Sequence, residues 1–453
     1  MTSKQPQPTP AQSHQAPTPA RAAAETVAAK LAEGGFQAYF VGGCVRDLLR
    51  GVEPQDWDIA TDACPDDVLK LFPHSLMVGA QFGVVGVIIG KDLVEVATFR
   101  NDGLYSDGRR PDAVSYTRDP REDVLRRDFT INGLLLHPAT GEVLDFVEGK
   151  NDIERRVVRA IGSPERRFVE DRLRMLRAIR FAAVLGYEID GSTFAAVQHR
   201  SHEITEVSAE RVRDELLRIL TSGQARRGFE LLDSSGLLKH ILPEVSAMKG
   251  VAQPPEFHPE GDVWTHTLLM LEMLEKDCSE TLAVGVLLHD VGKPPTFRVA
   301  PERIRFDNHV TVGMRMAEEI CRRLRLSHDQ IVQVASLVEN HLRFKDAPQM
   351  RASTLKRFLR LEQFEEHMEL HRLDCLSSHR DLDNYEYVRA KMQELPEEAI
   401  RPARLITGND LIAMGLAPGP RFAEILHAVE DAQLEGQLHS REQALEWVRR
   451  YVE

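Results

Sequence analysis

Strand-length apolar runs crowd into the first third of this chain and nearly vanish after Gly149, where helical periodicity takes over to the C-terminus. A change of repeat from two residues to about 3.6 marks a change of architecture. It predicts an α+β chain, with a small α/β head joined to a long, mostly helical body. At 453 residues the chain is too long for one compact core. Residues 1–22 are rich in Pro, Gln, Ala, Thr and Ser without apolar periodicity and read as a disordered tail. The expected divisions are a head at 23–150, a helical neck at 151–245, a second domain at 246–380 and a helical region at 381–453.

Within the head, residues 24–35 read as a helix, FQAYFVGG as a strand entering a glycine turn, and VRDLLRG as a short helix closed by Gly51. Asp56–Ala60 reads as a strand, and GVVGVIIG and LVEVATFR as a hairpin around Lys91-Asp92. Residues 101–122 read as a polar, mobile loop. On a strand, residues i and i+2 share a face, so Asp56 and Asp58 are expected to project together with Trp57 buried behind them. Glu95 lies on another strand, beside Leu93 and Ala97, where an acid is costly to bury without compensating charge. Three convergent carboxylates suit two hard divalent cations, Mg²⁺ above all, about 4 Å apart. The Gly42-Gly43 turn would let backbone amides approach phosphate oxygens, with Arg46 adding a forked donor. Alone, two acids around a tryptophan also fit a solvated turn.

The net charge of −13 counts against wrapping nucleic acid over the whole surface. Yet residues 154–180 hold nine arginines against four acids, compatible with a polyanion gripped in one groove or with a solvated, ion-paired face. The five scattered cysteines lack CxxC spacing, which suits a reducing compartment. No apolar run reaches membrane-span length and the N-terminus lacks a basic-then-apolar leader, so the expectation is a cytoplasmic chain with no membrane partner.

Three further segments follow the paired acids in order: RRDFTINGLLLHP at 126–138, GEVLDFVEG, and EDRLRMLRAIRFAAVLGYEID at 170–190. The series resembles the class II tRNA nucleotidyltransferases (CCA-adding enzymes) and the related bacterial poly(A) polymerases, over roughly residues 25–240. That resemblance implies a polymerase-beta-like nucleotidyltransferase head with Asp56 and Asp58 as catalytic metal ligands and Glu95 as a third acid. It places Gly43 and Arg46 in the nucleotide-binding turn, Arg127 on the triphosphate and Asn132 near the ribose. Asp171, Arg174, Arg177 and Arg180 match the base-recognising helix. Two departures are mild: Arg172 stands where Pro is frequent, and Gly133 where Ala is. The implied reaction adds CCA, or its terminal A, to the 3′ end of tRNA from CTP and ATP. The segment DGRRPD at 107–112 is the kind associated with A addition.

Asp171 and Arg174 are three apart, hence expected as neighbours on one helical face. An ionised Asp only accepts and an Arg only donates, matching the amino donor and ring-nitrogen acceptor that cytosine and adenine share. Uracil and guanine would set a carbonyl against the carboxylate, at a loss of about 1–3 kcal/mol. A surface salt bridge is the plainer reading of the same pair.

Downstream, GDVWTHTLLMLE at 261–272 and LAVGVLLHDVGK at 282–293 read as helices. The ordered set His266, His289-Asp290, His309, His341 and Asp374 resembles the HD superfamily of metal phosphohydrolases, whose ligands converge from separate helices. Mixed His and carboxylate ligands fit Mn²⁺, Ni²⁺, Fe or Mg²⁺ better than structural zinc; satisfied core histidines are the alternative. The resemblance implies 2′,3′-cyclic phosphodiesterase or phosphatase action on RNA ends. A poly(A) polymerase is the nearest competing function. An HD phosphohydrolase with a catalytically silent, RNA-binding head is a competitor of another class. The last 75 residues read as helical with a Gly-Pro-rich turn at 415–420, either touching the tRNA elbow or capping the body.

Overall fold

The computed structural model describes residues 18–79, 83–103, 114–301 and 303–452. They form two compact units, divided between Glu206 and Val207, inside the stretch expected as the neck. The segment DGRRPD and residues 1–17 lie outside the described residues.

The first unit opens with α1, Pro19–Glu33, whose start replaces part of the expected tail. Pro19 is the first helical residue, where proline's missing N–H and fixed φ cost nothing, and Thr18 caps the helix by accepting the Arg21 amide. Its apolar stripe of Ala23, Ala24, Val27, Ala28 and Leu31 is buried. Next come β1 (Ala38–Val41), α2 (Gly43–Leu49), β2 (Asp58–Thr61), α3 (Pro65–Leu71) and the strands β3 (Ser75–Gly79), β4 (Val84–Ile89) and β5 (Asp92–Thr98). The expected strand at 56–60 thus begins two residues later, at Asp58.

The described residues of the loop expected at 101–122 include regular elements. β6 (Arg100–Asp102) pairs antiparallel with β7 (Val114–Tyr116), and α4 occupies Pro120–Leu125. After these come β8 (Leu134–Leu136), β9 (Val143–Asp145) and α5 (Gly149–Arg155). Seven strands form one sheet in the order β3-β4-β5-β2-β1-β8-β9. Only β2 and β5 run parallel in it, with Ile59 opposite Val96 and Ala60 opposite Ala97. The sequence pattern missed β3 because it is an edge strand: Leu76, Met77 and Val78 are all exposed, so it shows no alternation.

α1 packs across β5, β1 and β2. On the opposite face Val41, Ala60 and Leu135 pack with Phe99 and with Val124 of α4. Trp57 is 4% exposed and meets Phe40 edge-on, ring centroids 4.8 Å apart, as its position between two acids predicts.

Beyond Gly149 the unit continues with α6 (Pro164–Glu170) and α7 (Leu173–Leu185). Strands are reduced to short pieces, such as Val157–Val158 paired with Glu188–Ile189.

The second unit is helical apart from a hairpin, Phe297–Val299 with Ile304–Phe306. Five helices frame its centre: α8 (Val263–Glu272), α9 (Glu280–Leu288), α10 (His309–Arg323), α11 (His328–Asn340) and α12 (Phe364–Ser377). α9 is buried on all sides, which explains its unbroken apolar run. A separate core of Ile406, Leu411, Ile425, Val429 and Val448 holds the C-terminal helices together. Among the described residues no helix is long and apolar enough to cross a membrane, and all five cysteines are free.

Gly149, where the sequence pattern changes, is fixed by a close approach. A Cβ there would lie 2.3 Å from the Thr130 carbonyl oxygen. Asp145 adds to this by accepting the amides of Gly149 at 3.0 Å and Lys150 at 2.9 Å. Gly149→Ala is expected to destabilise the chain by about 1–3 kcal/mol, because backbone rather than a flexible side chain must move; thermal unfolding measures it.

Candidate functional site

Asp58 opens β2, and the parallel register puts it level with Glu95 of β5, one step before the Ile59–Val96 pair. Asp58 is half-buried, while Asp56, in the turn before the strand, is exposed. Burial, then the nearby Glu95 charge, pushes the Asp58 carboxyl up to about 6; Arg127 opposes this and Asp56 adds to it. The three acids therefore share one electrostatic site. Glu95 is exposed, however, as is Leu93 beside it, so the expected cost of burying this acid does not arise. That face of β5 is open at Leu93 and Glu95, while the alternate residues Val94, Val96 and Thr98 are buried.

The turn residue that matters most is Gly42, next to the expected Gly43. Its φ of +77° favours glycine, and a Cβ there would point into the gap between Asp58 Oδ2, at 3.9 Å, and Arg127 Nη1, at 4.0 Å. Gly43 is the first residue of α2.

Carboxylates hold the arginines. Asp123, 1% exposed, accepts Nε and Nη2 of Arg127 through Oδ2 at 3.3 and 2.9 Å, and Arg126 through Oδ1. This leaves Nη1 of Arg127 beside Gly42 and Asp58. Arg46 does not present an open fork: it is paired bidentately with Asp47, both contacts 2.9 Å, and gives Nη1 to Asn132 Oδ1 at 2.9 Å. Asn132 in turn donates to Asp128 Oδ1 at 3.3 Å, and Asp128 Oδ2 receives Nε and Nη2 of Arg177 at 2.8 and 2.6 Å. One buried chain of hydrogen bonds thus runs from α2 to α7. Arg46, Arg177 and Arg180 also lie over the Phe181 ring, at 5.5, 5.3 and 4.1 Å.

Asp171 and Arg174 do not share one continuous helical face. The helix breaks between α6 and α7, and Asp171 sits in the break with extended backbone (φ −148°, ψ 107°), its carboxylate accepting the Leu173 amide. Arg174 donates to Glu170 at 2.8 Å and to the carbonyls of Arg167 and Arg126. A uniform 3.6-residue repeat hides this break. The retaining acids Asp47, Asp123, Asp128 and Glu170 received no role from the sequence, although three of them stand beside or three to four residues from the arginine they hold.

In the second unit, six residues from five helices or helix ends converge. His289 and Asp290 follow α9, His341 follows α11, His309 begins α10, and His266 and Asp374 lie within α8 and α12. His266 Nε2 is 3.1 Å from Asp374 Oδ1, and Asp290 Oδ1 is 3.9 Å from Nε2 of both His309 and His341. Lys293 occupies the other Asp290 oxygen at 2.7 Å. The potential ligand atoms fall into three triads, His258-Glu260-His266, His266-His289-Asp374 and Asp290-His309-His341. Gly292 makes the approach of α10 possible, since a Cβ there would lie 2.1 Å from the His309 carbonyl oxygen.

Burial alone would discharge His266, but Asp374 and Glu260 outweigh it and hold the imidazole up to about 9. Burial dominates at His341, which falls to about 4. A cation fits the donor set. Nε2 of His289 and His309 and Oδ1 of Asp290 are buried without a hydrogen-bond partner among the described residues, a costly arrangement unless an ion takes their lone pairs. In the head, oxygen-only donors and a carboxyl lifted by burial and by Glu95 suit a hard cation.

Residues 38–159 match the model of the poly A polymerase head domain, and residues 263–399 that of the HD domain. This chain carries both domains. Between them, residues 186–249 match "Probable RNA and SrmB- binding site of polymerase A". The chain is 43% identical to the CCA-adding enzyme of Lactococcus lactis subsp. cremoris (strain MG1363) over 221 residues, 48% of this chain and 55% of that one. To the CCA-adding enzyme of Ligilactobacillus salivarius it is 34% identical over 258 residues, 56% and 64% of the two chains. The matched stretch thus spans a little over half the length of these relatives. In fold it is similar to the Bacillus stearothermophilus CCA-adding enzyme in complex with CTP, with a TM-score of 0.73 at 24% identity, covering 96% of this chain and 98% of that one. The Thermotoga maritima CCA-adding enzyme complexed with tRNA gives a TM-score of 0.57 at 20% identity, covering 95% of each.

Within the poly A polymerase head, Asp128 tests how the hydrogen-bonded chain is held. Burial opposes its ionisation, yet Arg177 keeps its carboxyl down at about 2, against 3.8 for a free side chain. A depressed carboxylate stabilises the fold above its unfolded value and loses that contribution as pH falls through its folded one. Asp128→Asn should therefore cost on the order of 2 kcal/mol at pH 7, with the gap to wild type closing between about pH 4 and pH 2. Urea unfolding across that range measures it.

Proposed function

We propose that this chain is a template-independent nucleotidyltransferase that adds CCA, or its terminal A, to the 3′ end of tRNA using CTP and ATP. The observation that carries the reading is the meeting of Asp58 and Arg127 at the positive-φ turn of Gly42, with Glu95 level with Asp58 on the neighbouring strand. Likeness to enzymes named as CCA-adding supports the substrate class. The RNA 3′-hydroxyl attacks the α-phosphate; a new P–O bond forms and the α–β bridging bond breaks, releasing pyrophosphate. Asp56, Asp58 and Glu95 would hold Mg²⁺, which supplies charge neutralisation at the triphosphate and a more acidic hydroxyl.

The chain's own residues do the positioning. Gly42 leaves room for phosphate oxygens, and Arg127, steadied by Asp123, directs its remaining nitrogen toward them. The chain Arg46-Asn132-Asp128-Arg177 sets the ribose side against α7. Asp171 and Arg174, at the α6–α7 break, select the amino-bearing pairing edges of cytosine and adenine.

For the HD domain we infer phosphodiesterase or phosphatase action on 2′,3′-cyclic or terminal phosphates of RNA. His266, His289, Asp290, His309, His341 and Asp374 would hold one or two divalent ions (Mn²⁺, Ni²⁺ or Mg²⁺), which supply Lewis acidity at the phosphate. Clearing a phosphate from a damaged 3′ end would free the hydroxyl that the head extends. Poly(A) polymerase activity is the second reading, favoured by the description of the head family.

Labelled CTP and ATP, offered with tRNA lacking CCA, tRNA ending in CC and a generic RNA, separate these readings. CTP and ATP uptake on tRNA is expected, abolished by Asp58→Ala; ATP uptake alone on generic RNA means poly(A) synthesis. Hydrolysis of 2′,3′-cyclic nucleotides should persist in Asp58→Ala and disappear in Asp290→Ala. Equal hydrolysis in wild type and Asp290→Ala would overturn the HD assignment.

A further inference from the structure

An imidazole ligand must turn one nitrogen toward the centre, and the partner of the other nitrogen decides which. Three rings of the HD cluster solve this alike. His289, His309 and His341 stand at helix ends, and each Nδ1 bonds the carbonyl three residues earlier: Val286 at 2.9 Å, Phe306 at 2.8 Å and Val338 at 2.7 Å.

His266 cannot do so. It lies inside α8, where the Asp262 carbonyl takes its own amide at 3.0 Å and the Val263 carbonyl takes the Thr267 hydroxyl at 2.8 Å. Its Nδ1 meets Glu260 Oε1 at 2.7 Å, from the loop before the helix. Ser377 Oγ, at 3.3 Å, is a longer and weaker partner.

The loop is built to hold that carboxylate. Nδ1 of His258 reaches the same Glu260 oxygen at 2.8 Å. Gly261 turns the chain at φ +130°, and Asp262 caps α8 through the Thr265 amide at 2.8 Å while accepting the Gly250 amide at 2.6 Å. The Glu260 side chain is 7% exposed, and Oε2 is buried with no hydrogen-bond partner among the described residues. Burying an acid this way is expensive unless its placement serves the ring it touches.

We propose that Glu260 is a positioning residue of the HD centre. Its carboxylate receives the Nδ1 proton of His266, so that Nε2 keeps its lone pair toward Asp374 and His289, and His258 clamps that carboxylate from outside. A carboxylate partner also makes the imidazole a stronger donor than a backbone carbonyl would. This rests on reading the HD cluster as a metal centre.

The test uses the full-length chain carrying Asp56→Asn, Asp58→Asn and Glu95→Gln, which removes the head carboxylates as competing ligands. Chelator-stripped protein is titrated with Mn²⁺ by calorimetry and with Co²⁺ by visible absorption. Glu260→Ala should weaken Mn²⁺ binding about 10–100-fold. Glu260→Gln keeps an acceptor oxygen without the charge, so it should recover part of the affinity while shifting the Co²⁺ absorption band. A merely structural role would leave both band and affinity of the folded Gln variant unchanged. Parental metal binding in Glu260→Ala, with its helical circular dichroism intact, overturns the proposal alone. A parent chain that takes up neither metal overturns it together with the metal-centre reading.

Discussion

An arginine drawn into a largely buried cluster needs a carboxylate to hold it, because an unpaired buried charge is costly. In the head this is achieved by buried carboxylates, each tying down part of an arginine. Asp123 holds two nitrogens of Arg127 and leaves the third beside Gly42; Asp128 holds Arg177; Glu170 holds Arg174. These pairs are largely withdrawn from water, where a lone charge would be costly, so either partner without the other destabilises its surroundings. Most of the site's geometry follows from this pairing, because the arginines come from different elements and the acids fix how those elements meet.

The uncompensated charges sit where they are needed. Asp58 and Glu95 share a level on neighbouring parallel strands, and burial together with the Glu95 charge outweighs Arg127, so the Asp58 carboxyl is hard to ionise. Paired acids immobilise donors, whereas clustered acids resist one another's ionisation. The HD cluster follows the same economy with different chemistry. Backbone carbonyls anchor three of its rings and a carboxylate the fourth, and Nε2 of His289 and His309 with Oδ1 of Asp290 lack a hydrogen-bond partner among the described residues.

Several elements were legible because their residues carry local physics. Trp57 between two acids had to be buried, and the apolar run of 282–288 had to be a core helix. Others were misread where local signals conflict. Pro19 looked like part of a proline-rich tail but opens a helix, since proline suits a first turn as well as a disordered segment. The edge strand at Ser75–Gly79 lacks alternation because neither face is covered. Glu95 was placed on the correct strand, yet its exposure depends on what covers the sheet, which no local pattern reports.

The sequence alone determined the two-part α+β plan, and it singled out Asp56, Asp58 and the histidine set of the body as candidates, because side-chain chemistry and spacing are local properties. Only the tertiary structure decided that Gly42 and not Gly43 bears the strained turn, that the helix breaks at Asp171, and that Arg46 is closed onto Asp47 and Asn132. It also decided which buried acid holds which arginine. Burial and hydrogen-bond partners arise from segments far apart in the chain, and their energies depend on the low dielectric that exists only once those segments have packed.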